Sequence, residues 1–179
     1  MRSTSPDSLL AQLTSHRWLV PLLADLAAHR GARFVELIHR LGLSRDSCAR
    51  TLDAAAAIGW VQRNPGHGHP LRPEYILTEK GNAAAARAAT IAEAQRAIGL
   101  PTGAATRWGL PLVAGIGAGH DRFNALSRLL APATPRALSQ GLSALGRYGL
   151  VTREVLDMRP PASRYDLTGS GRILAEACV

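Results

Sequence analysis

The sequence predicts a mainly α-helical protein with small β-hairpins, built as two tandem copies of one unit. Three observations predict it. The stretch Ser44 to Arg63, SRDSCARTLDAAAAIGWVQR, returns ninety residues later as Thr134 to Arg153, TPRALSQGLSALGRYGLVTR, and self-similarity at a fixed offset marks a repeated structural unit. Hydrophobic residues make up 46% of the 179-residue chain but aromatic ones only 4%, so the apolar mass is aliphatic and alanine-rich, which favours helix over sheet. Each copy runs into two short β-prone segments around a loop rich in Pro, Gly and Arg, the pattern of a hairpin with a wide tip.

The first unit starts with Ser5-Pro6-Asp7, a hydroxyl cap, a proline at the first helical position and an acid in the first turn, which opens a short helix to about Ser15. RWLVPLLADLAAHRGARF, Arg17 to Phe34, is apolar enough for a buried helix from about Trp18 to Ala28, closed near Gly31. FVELIHRLGL, Phe34 to Leu43, makes a short helix. A tight turn then leads to the helix capped by Ser44, which runs about four turns before a glycine stops it. Val61-Gln62-Arg63 and Tyr75-Ile76-Leu77 are the two strands of the hairpin. Thr78 caps the following helix, whose first turn holds Gly81.

The second unit repeats this order. RWGLPLVAGIGAGHDRF, Arg107 to Phe123, matches Arg17 to Phe34 at an offset of ninety that becomes eighty-nine after a one-residue deletion. FNALSRLLAP, Phe123 to Pro132, matches the short helix, and Thr134 caps the longer one. In that helix Leu138, Leu142 and Leu145 fall at i, i+4 and i+7, one apolar stripe of a 3.6-residue period. Arg164-Tyr165-Asp166-Leu167-Thr168 is the returning strand and the next cap, with Gly171 in the place of Gly81. Helix, short helix, turn and longer helix make a helix-turn-helix core, and the hairpin adds a wing. The prediction is therefore two winged helix-turn-helix units forming a pseudo-dimer: residues 1–81, a connecting helix and linker at 82–106, and 107–179. Asn82 to Gly99, NAAAARAATIAEAQRAIG, is a good helix former with a thin apolar stripe. It reads either as a plain connector or as a bridge packed between the repeats that also leads the second unit.

A net charge of +8, with Lys80 the only lysine among the basic residues, points to a polyanionic partner, and double-stranded DNA fits. Both halves are basic, with ten Lys/Arg against seven Asp/Glu in residues 1–81 and nine against five in residues 107–179. The two long helices differ. The second offers Arg136, Ser139, Gln140, Ser143 and Arg147 with no acid, whereas the first sets Asp46 and Asp53 among Arg45 and Arg50. Arginine pairs with guanine and glutamine with adenine through two hydrogen bonds, so the second helix is expected to be the better base reader. Arg72 in the first wing and Arg159 and Arg164 in the second are candidates for minor-groove or phosphate contact.

At this point the residues resemble a known pattern. Arg17-Trp18 and Arg107-Trp108, the Phe-x-x-Leu of Phe34 and Phe123, the Gly-x-Val-x-Arg of Gly59 and Gly149, and the Tyr-x-Leu-Thr-x-x-Gly of Tyr75 and Tyr165 resemble the HxlR-type winged helix-turn-helix transcriptional regulators, distant kin of MarR regulators. The resemblance covers nearly all of both halves and implies DNA binding, in a family of single-unit chains that typically act as homodimers. This chain fuses two units, so the resemblance implies a pseudo-dimer within one chain or a further homodimer. It also lacks the cysteine that many members carry ahead of the Trp for sensing: Leu13 to His16 contains no thiol.

Other features are expected to be structural. Cys48 aligns with Leu138 on the buried face and reads as a core residue rather than a sensor. Two distant cysteines give no disulfide or zinc spacing, which fits a reducing cytoplasm. His67-Gly68-His69 reads as a solvated wing tip more readily than a metal site. No apolar run reaches the roughly 18 residues needed to span a bilayer. Asp25, Asp53 and His39 are scattered, and GIGAG at Gly115 to Gly119 follows a helix rather than a strand, so neither catalysis nor a cofactor is expected. Trp18 and Trp108 hold equivalent positions and Trp60 stands where the second unit has Leu150. They read as core anchors or as the walls of a cavity between the halves for a small apolar or aromatic ligand. A second class of function stays open: a winged-helix scaffold that binds a small molecule or a protein partner without specific DNA binding.

Overall fold

The computed structural model describes residues 8–65, 73–104, 107–131, 133–157 and 162–179. The first unit contains α1 (Ser8–Leu13), α2 (Leu19–His29), α3 (Phe34–Leu41), α4 (Arg45–Ile58), β1 (Val61–Arg63), β2 (Tyr75–Leu77) and α5 (Glu79–Ala97). The second contains α6 (Gly109–Gly117), α7 (Phe123–Leu129), α8 (Pro135–Arg147), β3 (Val151–Leu156), β4 (Ala162–Leu167) and α9 (Gly169–Ala177). The fold is the predicted one, mainly helical with two small antiparallel hairpins and one unit repeated. The first helix ends at Leu13 rather than near Ser15, where Ser15 Oγ turns back onto the Gln12 carbonyl. Its expected start at Ser5-Pro6 lies outside the described residues, as do His67, His69, Arg72 and Arg159.

Local chemistry sets the ends of the elements. Ser44 Oγ accepts from the Ser47 amide and Thr134 Oγ1 from the Ala137 amide, so both long helices have side-chain caps. Gly59 takes φ +80° and Gly149 +65°, the left-handed turn that β-carbon-bearing residues avoid. Each wing strand starts directly after that turn, with Val61 paired to Leu77 and Val151 to Leu167. An isolated bridge then joins each hairpin to the segment before the short helix, Ala32 to Tyr75 and Arg122 to Arg164. Thr78 and Thr168 close the hairpins: each hydroxyl donates to the glycine carbonyl at the end of the long helix and accepts from Gly81 or Gly171 in the next.

That closure explains two glycines. A Cβ on Gly81 would collide with the Trp60 carbonyl and one on Gly171 with the Leu150 carbonyl, so α5 and α9 approach the preceding turn as closely as only glycine permits.

α5 is not a plain connector. Its buried residues Ala84, Ala85, Ala88, Ile91 and Ala94 form a stripe of small side chains packed along α2, and α5 also meets α9. Small residues let helices approach closely, which accounts for a helix of weak amphipathicity lying at the centre of the molecule. The equivalent helix α9 packs on α6, and α1 reaches across to α6. Arg87 donates to the Cys178 carbonyl at 2.8 Å, a further tie between α5 and the second unit, and Arg17 Nε donates to the Gly103 carbonyl of the linker at 2.6 Å. The buried hydrophobic residues of both units form one continuous cluster. Among the described residues no helix is long and apolar enough to cross a membrane.

Candidate nucleic-acid interface

α8 buries Leu138, Gly141, Leu142 and Leu145. Gly141 brings it close to α6, since a Cβ there would lie 2.7 Å from a Leu112 methyl. The opposite face carries Arg136, Ser139, Gln140, Ser143 and Arg147, all exposed, and no acid lies in the first turn. Ser139 and Ser143 form a crest between two concavities. On the wing side is a cleft of about 830 Å³ walled by α7, α8 and the β3–β4 hairpin, with Arg122, Asn124, Arg128, Arg153 and Ser163 in its lining. On the other side is a hollow of about 570 Å³ lined by Arg107, Trp108, Gln140, Arg147 and their neighbours.

The corresponding helix of the first unit presents another surface. α4 buries Cys48, Thr51, Leu52 and Ala55 and exposes Arg45, Asp46, Arg50, Asp53, Ala56 and Ala57. By the repeat, Asp46 stands for Arg136, Arg50 for Gln140, Asp53 for Ser143 and Ala57 for Arg147. Arg45 lies 5.8 Å from the Phe34 ring centre, a cation–π contact that holds it over α3.

Ion pairs separate the two wings as well. Arg63 lies 3.4 Å from Glu74 and donates to the Tyr75 hydroxyl, a hydrogen bond that, with the nearby carboxylate, pushes its pKa up. In the second unit the position of Glu74 is Arg164, which pairs instead with Glu154 at 2.8 Å and Asp166 at 3.2 Å. The guanidinium of Arg164 is thus paired with two carboxylates at the surface of the wing. Arg153, equivalent to Arg63, donates to Ser163 Oγ at 3.0 Å, with no carboxylate partner among the described residues.

Among the described residues the three tryptophans have different surroundings. Trp60 is 1% exposed in the core of the first unit. The Trp18 ring lies against Gly103, where a Cβ would stand 2.7 Å away, and Trp108 flanks α8. The space at the junction, lined by Leu13, Arg17, Val20, Gln95, Gly103 and Leu110, is about 10 Å³, room for roughly one water. Arg17 and Arg107 lie 5.2 and 5.3 Å from their neighbouring indoles.

Cys48 is fully buried, and burial pushes its thiol up to about 11. Burial likewise pushes Cys178 up to about 12, opposed by the nearby Arg87. A thiolate is the reactive form, so neither sulfur is poised for sensing at neutral pH. Among the described residues no group of three or more His, Cys, Asp and Glu side chains could hold a metal ion.

Sequence reasoning missed Arg107, Arg128 and Arg153 as residues of this face. Arg153 was not singled out because what its guanidinium meets depends on which residues of β4 lie across from it.

Two tri-helical cores, each with a wing and each closed by a glycine-tight helix, define a duplicated winged helix-turn-helix protein. The chain belongs to the HxlR-like helix-turn-helix family, whose model matches it twice, over residues 13–97 and 104–179. No curated protein and no solved structure matches the chain.

Proposed function

We propose that this chain is a DNA-binding transcriptional regulator in which the two units are unequal, α8 reading base edges while α4 takes a supporting part. One observation carries the reading: α8 lays an acid-free row, Arg136, Ser139, Gln140, Ser143 and Arg147, along its exposed face, while the same helix of the first unit carries Asp46 and Asp53. A carboxylate that meets phosphate adds repulsion, whereas arginine and glutamine match the donor and acceptor pattern of the major groove. Family membership supports the same function.

A duplex selected from a random pool is expected to bind tightly at about 50 mM salt and much less at about 200 mM. Arg136→Ala and Gln140→Ala are expected to cost about 1–3 kcal/mol on the selected site and much less on a scrambled one. Equal binding to all sequences, or none at low salt, overturns the reading. The acidic and alanine-rich face of α4 favours a second role for the first unit, contact with a protein partner. Protection of one half-site only, in a footprint of the selected duplex, is what that role predicts.

A further inference from the structure

α8 is a crest with a hollow on each side, and each hollow contains arginines. The major groove is about 12 Å wide and admits a helix, which leaves a phosphate backbone on either side of that helix. Two hollows flanking one crest therefore match the two strands of a duplex. We infer that the second unit clamps both backbones of one major groove, Arg128 and Arg153 meeting one strand in the wing-side cleft and Arg107 and Arg147 the other in the hollow beside Trp108. The inference deepens the DNA-binding reading and rests on it. It also assigns Arg147 to phosphate rather than base.

The side chains are arranged for this. Arg128 Nε donates to the Asn124 carbonyl and Arg153 Nε to Ser163 Oγ, which orients each guanidinium within the cleft they line. Arg107 lies over the Trp108 ring at the edge of the hollow that Arg147 also lines. Planar guanidinium groups held in this way suit phosphate.

The first unit has lost all four contacts by four separate routes. Arg17, the equivalent of Arg107, donates to the Gly103 carbonyl of the linker between the units. His39 stands for Arg128 and Ala57 for Arg147. Arg63 stands for Arg153 and is paired with Glu74. The clamp thus belongs to the second unit, and the swap of Glu74 for Arg164 is the change that removes the carboxylate facing its wing arginine.

Two measurements on the full chain test this. Ethylation of phosphates on the selected duplex should interfere on both strands, flanking a single major-groove segment. Arg128→Ala with Arg153→Ala should erase the interference on one strand, and Arg107→Ala with Arg147→Ala on the other. On a random-sequence duplex each of the four substitutions should lower the slope of log affinity against log salt by about 0.9. Arginine-to-lysine changes should keep that slope, and His39→Ala and Arg63→Ala should not alter it. Melting curves of the variants separate lost contacts from lost folding. Interference on one strand only, or an unchanged slope in the four variants with sequence-specific binding intact, overturns the clamp and leaves the regulator reading standing. A lowered slope without any sequence preference upholds the clamp and overturns the regulator reading. No duplex binding at low salt overturns both.

Discussion

Residue by residue, the repeat makes each position its own control. Leu138 and Cys48 occupy the same buried place, and both are fully inaccessible, so the sulfur acts as a small apolar filler. Burial adds a signature that leucine lacks. The Cys48 thiol, ordinarily near 9, is held up to about 11. Below pH 9 both folded and unfolded chains keep this proton and the contribution to stability is whole. Between about 9 and 11 the unfolded chain ionises while the folded one does not, so stability falls as pH rises. Urea midpoints measured from pH 7 to 10 should therefore fall less steeply for Cys48→Ala than for the parent, even though the variant is less stable overall. Parallel slopes would refute burial as the cause. Core positions of this kind were legible from the 3.6-residue period. The ion partners were not: Arg164 with Glu154 and Asp166, or Arg63 with Glu74, depend on strand register and on which neighbour carries the opposite charge, which spacing does not specify.

At the scale of elements, the caps were visible in the sequence because a hydroxyl before a helix and a glycine after it each satisfy a local backbone requirement. Thr78 does more than a cap: its hydroxyl donates to the Gly59 carbonyl at 2.6 Å and accepts from the Gly81 amide at 2.9 Å. It therefore joins the end of α4 to the start of α5, and Thr168 does the same for α8 and α9. Thr78→Ala and Thr168→Ala should each cost about 1–2 kcal/mol, read as a drop in Tm of roughly 2–8 °C in a chain of this size. Loss of less than about 0.5 kcal/mol in either would show that water replaces both bonds. α5 was the element least legible in advance. Its alanines give almost no amphipathic signal, and only the close approach of α2 and α9 reveals that the stripe Ala84, Ala88 and Ile91 is core.

For the whole molecule, the question is whether two repeats mean two folding units. Their cores are continuous, α5 of one lies against α9 of the other, and α1 crosses to α6. Equivalent helices facing each other is the arrangement of a two-fold dimer, here with the partners joined by the chain. Neither half could expose α5 or α9 without uncovering buried alanine and leucine, so opening one half removes the partner surface of the other. Unfolding should then be a single calorimetric transition, with an enthalpy of about 125 kcal/mol near 60 °C for 179 residues and an equal van't Hoff value. A destabilising change confined to one unit, such as Thr168→Ala, should move the entire transition down. Independent units would instead split it, leaving a component at the parent temperature. Cooperativity of this kind also bears on α8, which is held in place by a core that the first unit shares.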